Sequence, residues 1–372
     1  GACGRARART RPPAAIAGAL AGRLAADGGS ERAEVAAGGY VNVFLGGRAW
    51  RALLADIEAR GARFGEGATL AGERFLVEFI SANPTGPLVV ANARYAAFGG
   101  SLCRCLEAAG AAVEREYLVN DAGAQVRNLA LSVEARWRES LGEAAVIPPD
   151  GYQGEYVKEL AARARERFGE SFLAGAPEGR TAALASFAVA EMVARQKDDL
   201  DRIRVRYDRF FSERTLHDGG QVRESLERLR QVGVIEDREG AVWFLATRFG
   251  DEKDRVMVKS DGLPTYTLPD IAYHRDKLAR GYTRIVNIVG ADHQVEMATV
   301  RAALRALGEP ADRLEVIIVQ FVNLRRGAEK VVMSKRSGHL ILLADLVDEV
   351  GADAARFLFL LRAPTSALEF DL

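Results

Sequence analysis

Apolar residues recur along the chain with two different periods, and Gly and Pro mark the places where the period changes. Residues 13–26 (PAAIAGALAGRLAA) and RAWRALLADIEARG from Arg48 carry apolar positions at helical spacing, and VNVFLG from Val41 reads as a short strand between them. A Gly-rich joint, GARFGEGATLAGE, leads to the strand RFLVEFI, Arg74 to Ile80. That strand runs into SANPTGP, where two prolines and a glycine force a loop, and a helix is predicted from Val90 to Ala109. The next strand, VEREYLV from Val113, enters NDAGAQ, where Asp121 is placed to cap the following helix. Strand, loop, helix, strand is the opening of a βαβ unit.

From about Ala124 to Ser212 the pattern is helical and charged, without a clear strand, and reads as a helical insertion. A strand and hairpin region follows, with AVWFLA and RVMVKSDGLPTY. Then come a helix (Ile271 to Ala279), the strand RIVNIV from Arg284, the loop GADH, a helix (Val295 to Leu307) and the strand LEVIIVQ from Leu314. That alternation predicts the second half of a parallel α/β sheet. A Gly-turn hairpin carries VVMSKRSG, and two helices, strongly apolar over 352–361, bring the chain to EFDL. The expected fold class is α/β with a Rossmann-type parallel sheet. The expected segments are a small partial α/β unit at 1–72, the first half of the sheet domain at 73–123, a mostly helical insertion at 124–250, the second half at 251–350, and a helical junction at 351–372.

Composition changes this picture little. At 48% hydrophobic and 27% charged, the chain is of the ordinary soluble class. The absence of an uncharged apolar run of 18 residues argues against a membrane span, and the basic opening GACGRARARTRPP lacks an apolar signal core, so a cytoplasmic location is expected. Cys3, Cys103 and Cys105 form neither a disulfide framework nor a metal set, and Cys103 and Cys105 are expected on different helix faces. Lys plus Arg equals Asp plus Glu at 51 each, so a nucleic-acid partner would need a local basic face. Arg202, Arg204, Arg206 and Arg209 are one candidate cluster and Arg325 with Arg326 another, although a charge run is more often a solvated face.

In open parallel sheets ligands bind beyond the carboxyl ends of the strands. Three polar regions meet that description: SANPTGPLVVANAR, VGADHQ, and the pair TYTLPD with VMSKRSG. Glu78 lies inside an apolar strand with Asn83 just after it, Tyr266 and Asp270 bracket a proline turn, and Asp292 and His293 follow RIVNIV. Carboxylates converging on one crevice suit a cation, and a planar guanidinium is best met by a bidentate carboxylate. Asp292, His293 and Asp270 could equally ligate a divalent metal. In a purely structural alternative, Glu78 pairs with an internal Arg and Asp270 caps a helix. VMSKRSG puts Lys335 and Arg336 on a short Gly-terminated loop, suited to clamping phosphates.

VEFISANPTGPL, EYLVNDAGAQ, GYQGE, FFSERTL, TYTLPDIAYHRDK, IVGADHQ, VVMSKRSG and LVDEVGADAARFLFLLRAP occur in the order seen in bacterial arginyl-tRNA synthetases, and from about Ile16 to Leu372 the chain resembles that class I synthetase family. The resemblance implies ATP-dependent activation of L-arginine and transfer to tRNA, with ATP as substrate, Mg2+ accompanying it and no prosthetic group. It implies that the opening residues are the latter part of a tRNA-contacting domain. It also implies that the chain stops where a helical anticodon-binding domain would begin, so that weakened tRNA binding is expected. Position by position, Glu78, Asn83, Tyr266, Asp270 and His293 match the arginine pocket, with Glu78 and Asn83 at the α-amino end and Tyr266 and Asp270 at the guanidinium. Val89, Ala91, Asn92, Gly290, Asp292, Met333, Ser334 and Lys335 fall at the ATP site, Lys335 being the phosphate-contacting lysine and Asn92 the other candidate catalytic position.

The ATP signature departs from the family pattern His-hydrophobic-Gly-His. Val89, Val90, Ala91 and Asn92 stand there, with Arg94 kept; Gln294 replaces a second His, and Gly100 stands where Asp is expected. Val89 offers no donor, Ala91 adds a methyl, and Asn92 keeps a shorter, neutral donor. The expected activity is therefore impaired, and the alternative is a paralogue that binds arginine as sensor, regulator or biosynthetic partner without forming adenylate.

Overall fold

The computed structural model describes residues 12–326, 329–331 and 341–371. Residues 1–67 and 68–372 form two compact units. In the first, helix α1 (Pro13–Ala26) begins with Pro at its first position, where no amide hydrogen is needed, and lays Ala17 and Ala21 against the hairpin β1 (Ser30–Ala36) and β2 (Tyr40–Leu45). The intervening Gly39 has φ +81, and a Cβ there would overlap Pro13. Helix α2 (Gly47–Arg60) buries none of its side chains. Strand β1, SERAEVA, escaped the sequence reading because its charged residues leave no apolar alternation to detect.

In the second unit β3 (Arg74–Phe79) leads through the loop 80–89 into α3 (Val90–Ala108), then β4 (Ala112–Val119). Helices α4 (Ala124–Ser140), α5 (Glu155–Phe168) and α6 (Pro177–Arg202) follow, then β5 (Arg209–Ser212), α7 (Arg214–Asp218) and α8 (Gln221–Gln231). The sheet of β6 (Ile235–Arg238), β7 (Ala241–Phe244) and β8 (Arg255–Val258) precedes α9 (Thr267–Ala279), β9 (Arg284–Gly290), α10 (Gln294–Ala306) and β10 (Leu314–Val319). Last come β11 (Val322–Arg326), β12 (Glu329–Val331), α11 (Leu343–Val350), α12 (Ala352–Leu360) and β13 (Leu368–Asp371).

The main sheet has the order β10-β9-β3-β4-β5 and is parallel throughout. Strand β5 corrects the reading of 124–212 as helical: RFFS is too short and too flanked by charge to announce itself, yet it pairs along β4. Asp121 is likewise not a helix cap. Gly123 holds that position, and the Asp121 carboxylate instead accepts from Ser212 Oγ (2.6 Å) and Arg214 N (2.9 Å), tying the ends of β4 and β5 together. β13, unforeseen beside the closing helices, pairs in parallel with β11.

Because side chains alternate across a strand, β3 sends Phe75, Val77 and Phe79 into one core, among α3 to α6, α11 and α12. Leu76 goes into the other, beneath α8, α9 and α10. Glu78 shares the side of Leu76. Its register partners are Glu116 on β4 and Asn287 on β9, so three polar side chains stand in a row across the middle of the sheet. Helix α9 covers that row with Lys277, Tyr273 and His274, all buried. Cys103 is buried and Cys105 exposed, as the helical spacing predicts.

Candidate functional site

Strand order reverses at β3, with β4 on one side and β9 on the other, so the loops leaving β3 and β9 diverge and open a cleft. The loop after β3 starts with an unusual backbone: Ile80 (φ 66) and Ser81 (φ 39) are both non-glycine residues with positive φ. The turn is held from all sides. Ser81 Oγ donates to Glu78 Oε1 (2.8 Å) and accepts from Leu118 N (3.0 Å). The Tyr117 hydroxyl accepts from Ala82 N (3.0 Å) and donates to Gln196 Oε1 (2.9 Å), while Gln196 Nε2 donates to Gly86 O (2.8 Å). Tyr156 donates to Thr85 O (2.8 Å), and Leu88 N donates to Asp199 Oδ2 (3.4 Å). The long helices after β4 thus serve as the clamp of this loop.

Asp199 lies buried at the foot of that clamp, and burial pushes its carboxyl up to about 6. In an unfolded chain it titrates near 3.9. Because the folded value is the higher, stability attributable to this group falls as pH rises from about 4 to about 6. Asp199→Asn keeps an acceptor for Leu88 N, and it is expected to raise stability by about 1–3 kcal/mol at pH 7.5 and by nothing at pH 4. Urea denaturation at both pH values checks this; an equal effect at the two would refute it.

The cleft has a volume of about 510 Å3 and brings together Glu78, Asn83, Tyr266, Asp270 and His293, the five residues expected to meet arginine. Asn92, Gly290 and Asp292 line it as well. Met333, Ser334 and Lys335, with Arg336, lie outside the described residues. Five carboxylates face the cleft: Glu78, Glu213, Asp270, Asp292 and Glu296. Among the described residues no group of three or more His, Cys, Asp or Glu side chains has an arrangement that could hold a metal. An acidic lining of this kind suits a planar organic cation such as a guanidinium.

Glu78 pairs with a lysine, not the internal Arg of the structural alternative. Lys277 Nζ, fully buried, donates to Glu78 Oε2 and to Asn287 Oδ1 (2.9 Å). Asn287 Nδ2 in turn reaches His274 Nε2 (2.7 Å), and His274 Nδ1 lies 2.8 Å from Asp270 O. Burial, reinforced by Lys277, holds His274 well below the usual imidazole range, so it is neutral. The network fixes its tautomer, with Nδ1–H donating to the carbonyl and Nε2 accepting. Asp270 itself does not cap α9, since Tyr266 holds that position; it sits in the first turn, half-buried. Burial first, and then Glu296, Glu213 and Glu78, push its carboxyl well up. Glu296 accepts from His293 Nδ1 (3.0 Å), a bond that holds Glu296 below and His293 above their usual values. Along the opposite wall Asn120 Nδ2 donates to Asn83 Oδ1 (3.1 Å), and Asn83 Nδ2 donates to Gln125 Oε1 (2.9 Å), which fixes the Asn83 amide.

Residues 59–359 match the family model for tRNA synthetases class I (R), catalytic domain. The chain belongs to this family. Arginine–tRNA ligases of Bacillus licheniformis and Geobacillus kaustophilus are each 43% identical to it, over 92% and 99% of its length. The chain spans 62% and 66% of the length of those two curated relatives. A Campylobacter jejuni crystal structure assigned as an arginyl-tRNA synthetase is 39% identical, with a TM-score of 0.79 over 86% of this chain and 70% of that one. The Thermus thermophilus arginyl-tRNA synthetase shares the fold, with a TM-score of 0.70 at 21% identity over 99% of this chain and 70% of that one.

Within this arginyl-type synthetase core the divergent signature occupies the start of α3. Val89 is the residue before the helix, and its side chain does not line the cleft. Its backbone bridges Leu342, and Val90 N donates to Ile341 O (2.9 Å). Ala91 is not at the cleft wall either. Asn92 is, and its Oδ1 accepts from Val89 N (2.9 Å), so it ties down the first turn of its own helix while Nδ2 stays available as a donor. A Cβ on Gly290 would push aside the exposed Asp292 carboxylate and come within 3.0 Å of the Tyr95 hydroxyl. Arg94 is turned away from the cleft and buried, donating to Gln320 O (2.8 Å), Ala363 O (2.9 Å) and Ser366 O (2.7 Å). A Cβ on Gly100 would lie 3.1 Å from Val205 and 3.8 Å from the guanidinium of buried Arg356, the direction in which the expected Asp would point.

Sequence reasoning passed over Glu213, Glu296, Lys277 and the pair Asn120–Gln125. The signal for Glu296 was present, three residues after His293 on the same helical face. The candidate basic face is largely neutralised within the chain: Arg202 pairs with Asp348, Arg204 with Asp353 and Arg209 with Glu114. Among the described residues no helix is long and apolar enough to cross a membrane.

Proposed function

We propose that this chain is the catalytic core of an arginine–tRNA ligase with a weakened nucleotide half-site. The observation that carries the reading is the cleft at the strand ends, where an acidic lining meets fixed polar groups inside an arginyl-type synthetase fold. L-Arginine would enter with its guanidinium toward Asp270 and Tyr266 and its α-ammonium toward Glu78 and Asn83. Both Glu78 oxygens already accept a hydrogen bond, which holds the carboxylate in place for a further donor. The arginine carboxylate would then attack the α-phosphate of ATP, expel pyrophosphate, and give an adenylate from which tRNA takes the arginyl group. Asn92 and Lys335 are the candidates for phosphate contacts, and Mg2+ would arrive with the nucleotide oxygens.

Arginine-dependent pyrophosphate exchange, with and without tRNA, tests this reading. Exchange is expected to be measurable and to be lost in Lys335→Ala; a rate equal to that of the variant would defeat it. A second reading, arginine binding without adenylation, draws on Val89 and Ala91 standing away from the cleft and Asn92 Oδ1 being engaged at the first turn of its own helix. It requires calorimetric binding of L-arginine that Asp270→Ala abolishes.

A further inference from the structure

One hydrogen-bonded chain runs from Glu78 on β3 to the first turn of α9, and each of its links has a fixed polarity. Lys277 Nζ, which can only donate, meets Glu78 Oε2 and Asn287 Oδ1 (2.9 Å). An ammonium at Oδ1 settles which way the Asn287 amide faces. Nδ2 is therefore the end that donates to His274 Nε2 (2.7 Å), and it lies 3.8 Å from Met297 Sδ on α10. His274 Nε2 must then accept, so the ring proton sits on Nδ1 and is donated to Asp270 O (2.8 Å). Lys277, Asn287 and His274 are all buried, and Lys277 is the charge that acts with burial to hold the imidazole neutral. Asn287 lines the cleft with both ends of its amide already engaged.

We propose that Asn287 is a positioning residue of the arginine site: its amide passes the polarity set by Lys277 at Glu78 on to His274, and so ties the two ends of the site into one unit. This rests on the arginine reading of the cleft, with the α-ammonium at Glu78 and the guanidinium at Asp270. An asparagine suits the task because it presents an acceptor at one end and a donor at the other. An aspartate presents acceptors alone. At position 287 a carboxylate would draw the Lys277 ammonium away from Glu78, and it would face His274 Nε2 with no proton to offer. The ring would answer by taking up a proton at Nε2, which places an imidazolium on the helix turn that has to receive a guanidinium. Both ends of the site would change through one side chain that itself touches neither end of the ligand.

The test joins NMR of the full chain, labelled with 15N-histidine, to calorimetry with L-arginine. His274 is one of four histidines and is assigned by the signal lost in His274→Gln. In wild type it is expected to stay neutral, with its proton on Nδ1, from about pH 5.5 to about pH 8.5, and in Asn287→Asp to be an imidazolium at about pH 7. Asn287→Asp is expected to bind arginine about tenfold more weakly, the effect of misplacing charge in a buried network. Val286→Ala, on the same strand but facing the other core, controls for lost stability and should change arginine affinity by less than about twofold. Thermal melting establishes which variants are folded, and the wild-type titration decides whether or not they are. A wild-type His274 that titrates in this range overturns the role of Asn287 and leaves the arginine site standing. So does a neutral His274 or undiminished arginine binding in Asn287→Asp, or an equal loss of affinity in Val286→Ala. No arginine binding by wild type overturns both.

Discussion

The triple variant Val89→His, Ala91→Gly, Asn92→His is expected to gain on the order of 10²–10³ in arginine-dependent pyrophosphate exchange, with tighter ATP binding. The size follows from what a single well-placed donor is worth when charge develops on a transferring phosphoryl group. The two histidines do not simply multiply, because groups acting on one transition state are not additive. Geometry sets the order in which the changes matter. Position 92 already lines the cleft, so Asn92→His acts directly, at the cost of the hydrogen bond that now caps Val89 N. Position 89 precedes the helix and is joined by its backbone to Leu342, away from the cleft lining, so Val89→His contributes less directly than Asn92→His. Ala91→Gly removes a methyl and lets the nucleotide approach the helix start. Isotherms with ATP and exchange rates, each with Lys335→Ala added as control, measure the gain. An unchanged affinity would place the defect outside this stretch.

Lys277→Met is expected to cost about 3–5 kcal/mol of stability, the effect of stripping one partner from a buried ion pair. Lys277 is fully buried, with its ammonium over the Tyr273 ring (4.1 Å) and bonded to both Glu78 and Asn287. Without it, Glu78 would stand beside Glu116 with no buried cation of its own; Arg280 serves Glu116. Adding Glu78→Gln to Lys277→Met should recover much of the loss, since the uncompensated charge would be gone. Chemical denaturation of the two variants decides the matter. A loss in the double variant as large as in the single one would mean that packing, and not charge, is what Lys277 contributes.

How far the sequence carried this description depends on whether a residue's role is local. β3, α3, β4, β9 and β10 announce themselves through apolar runs and their punctuation, and the residues just past those strands come together at one cleft because parallel strands end on the same side. Glu78 stood out as the one carboxylate in an apolar strand. Its partner did not, because Lys277 in TLPDIAYHRDK looks like any helix lysine until α9 is laid across β3. Glu213 was hidden for a related reason: it gains its place only when β5 pairs with β4, and that pairing leaves no trace in four residues. Asp121 looked like a cap because capping is a local pattern, and it lost that role to contacts with Ser212 and Arg214 about ninety residues away.

The stretch from Val89 to Arg94 holds side chains with different clients. A histidine at 89 or 92 would work for a nucleotide that comes and goes. Arg94 works for three carbonyls of its own chain, and through them it fastens the start of α3 to the segments after β10 and before β13. A sequence can change the first kind of residue and lose a reaction while the protein still folds. Changing the second kind unties α3 from those segments. Asn92, which lines the cleft, and Arg94, which holds the chain together, thus stand two residues apart with separate tasks.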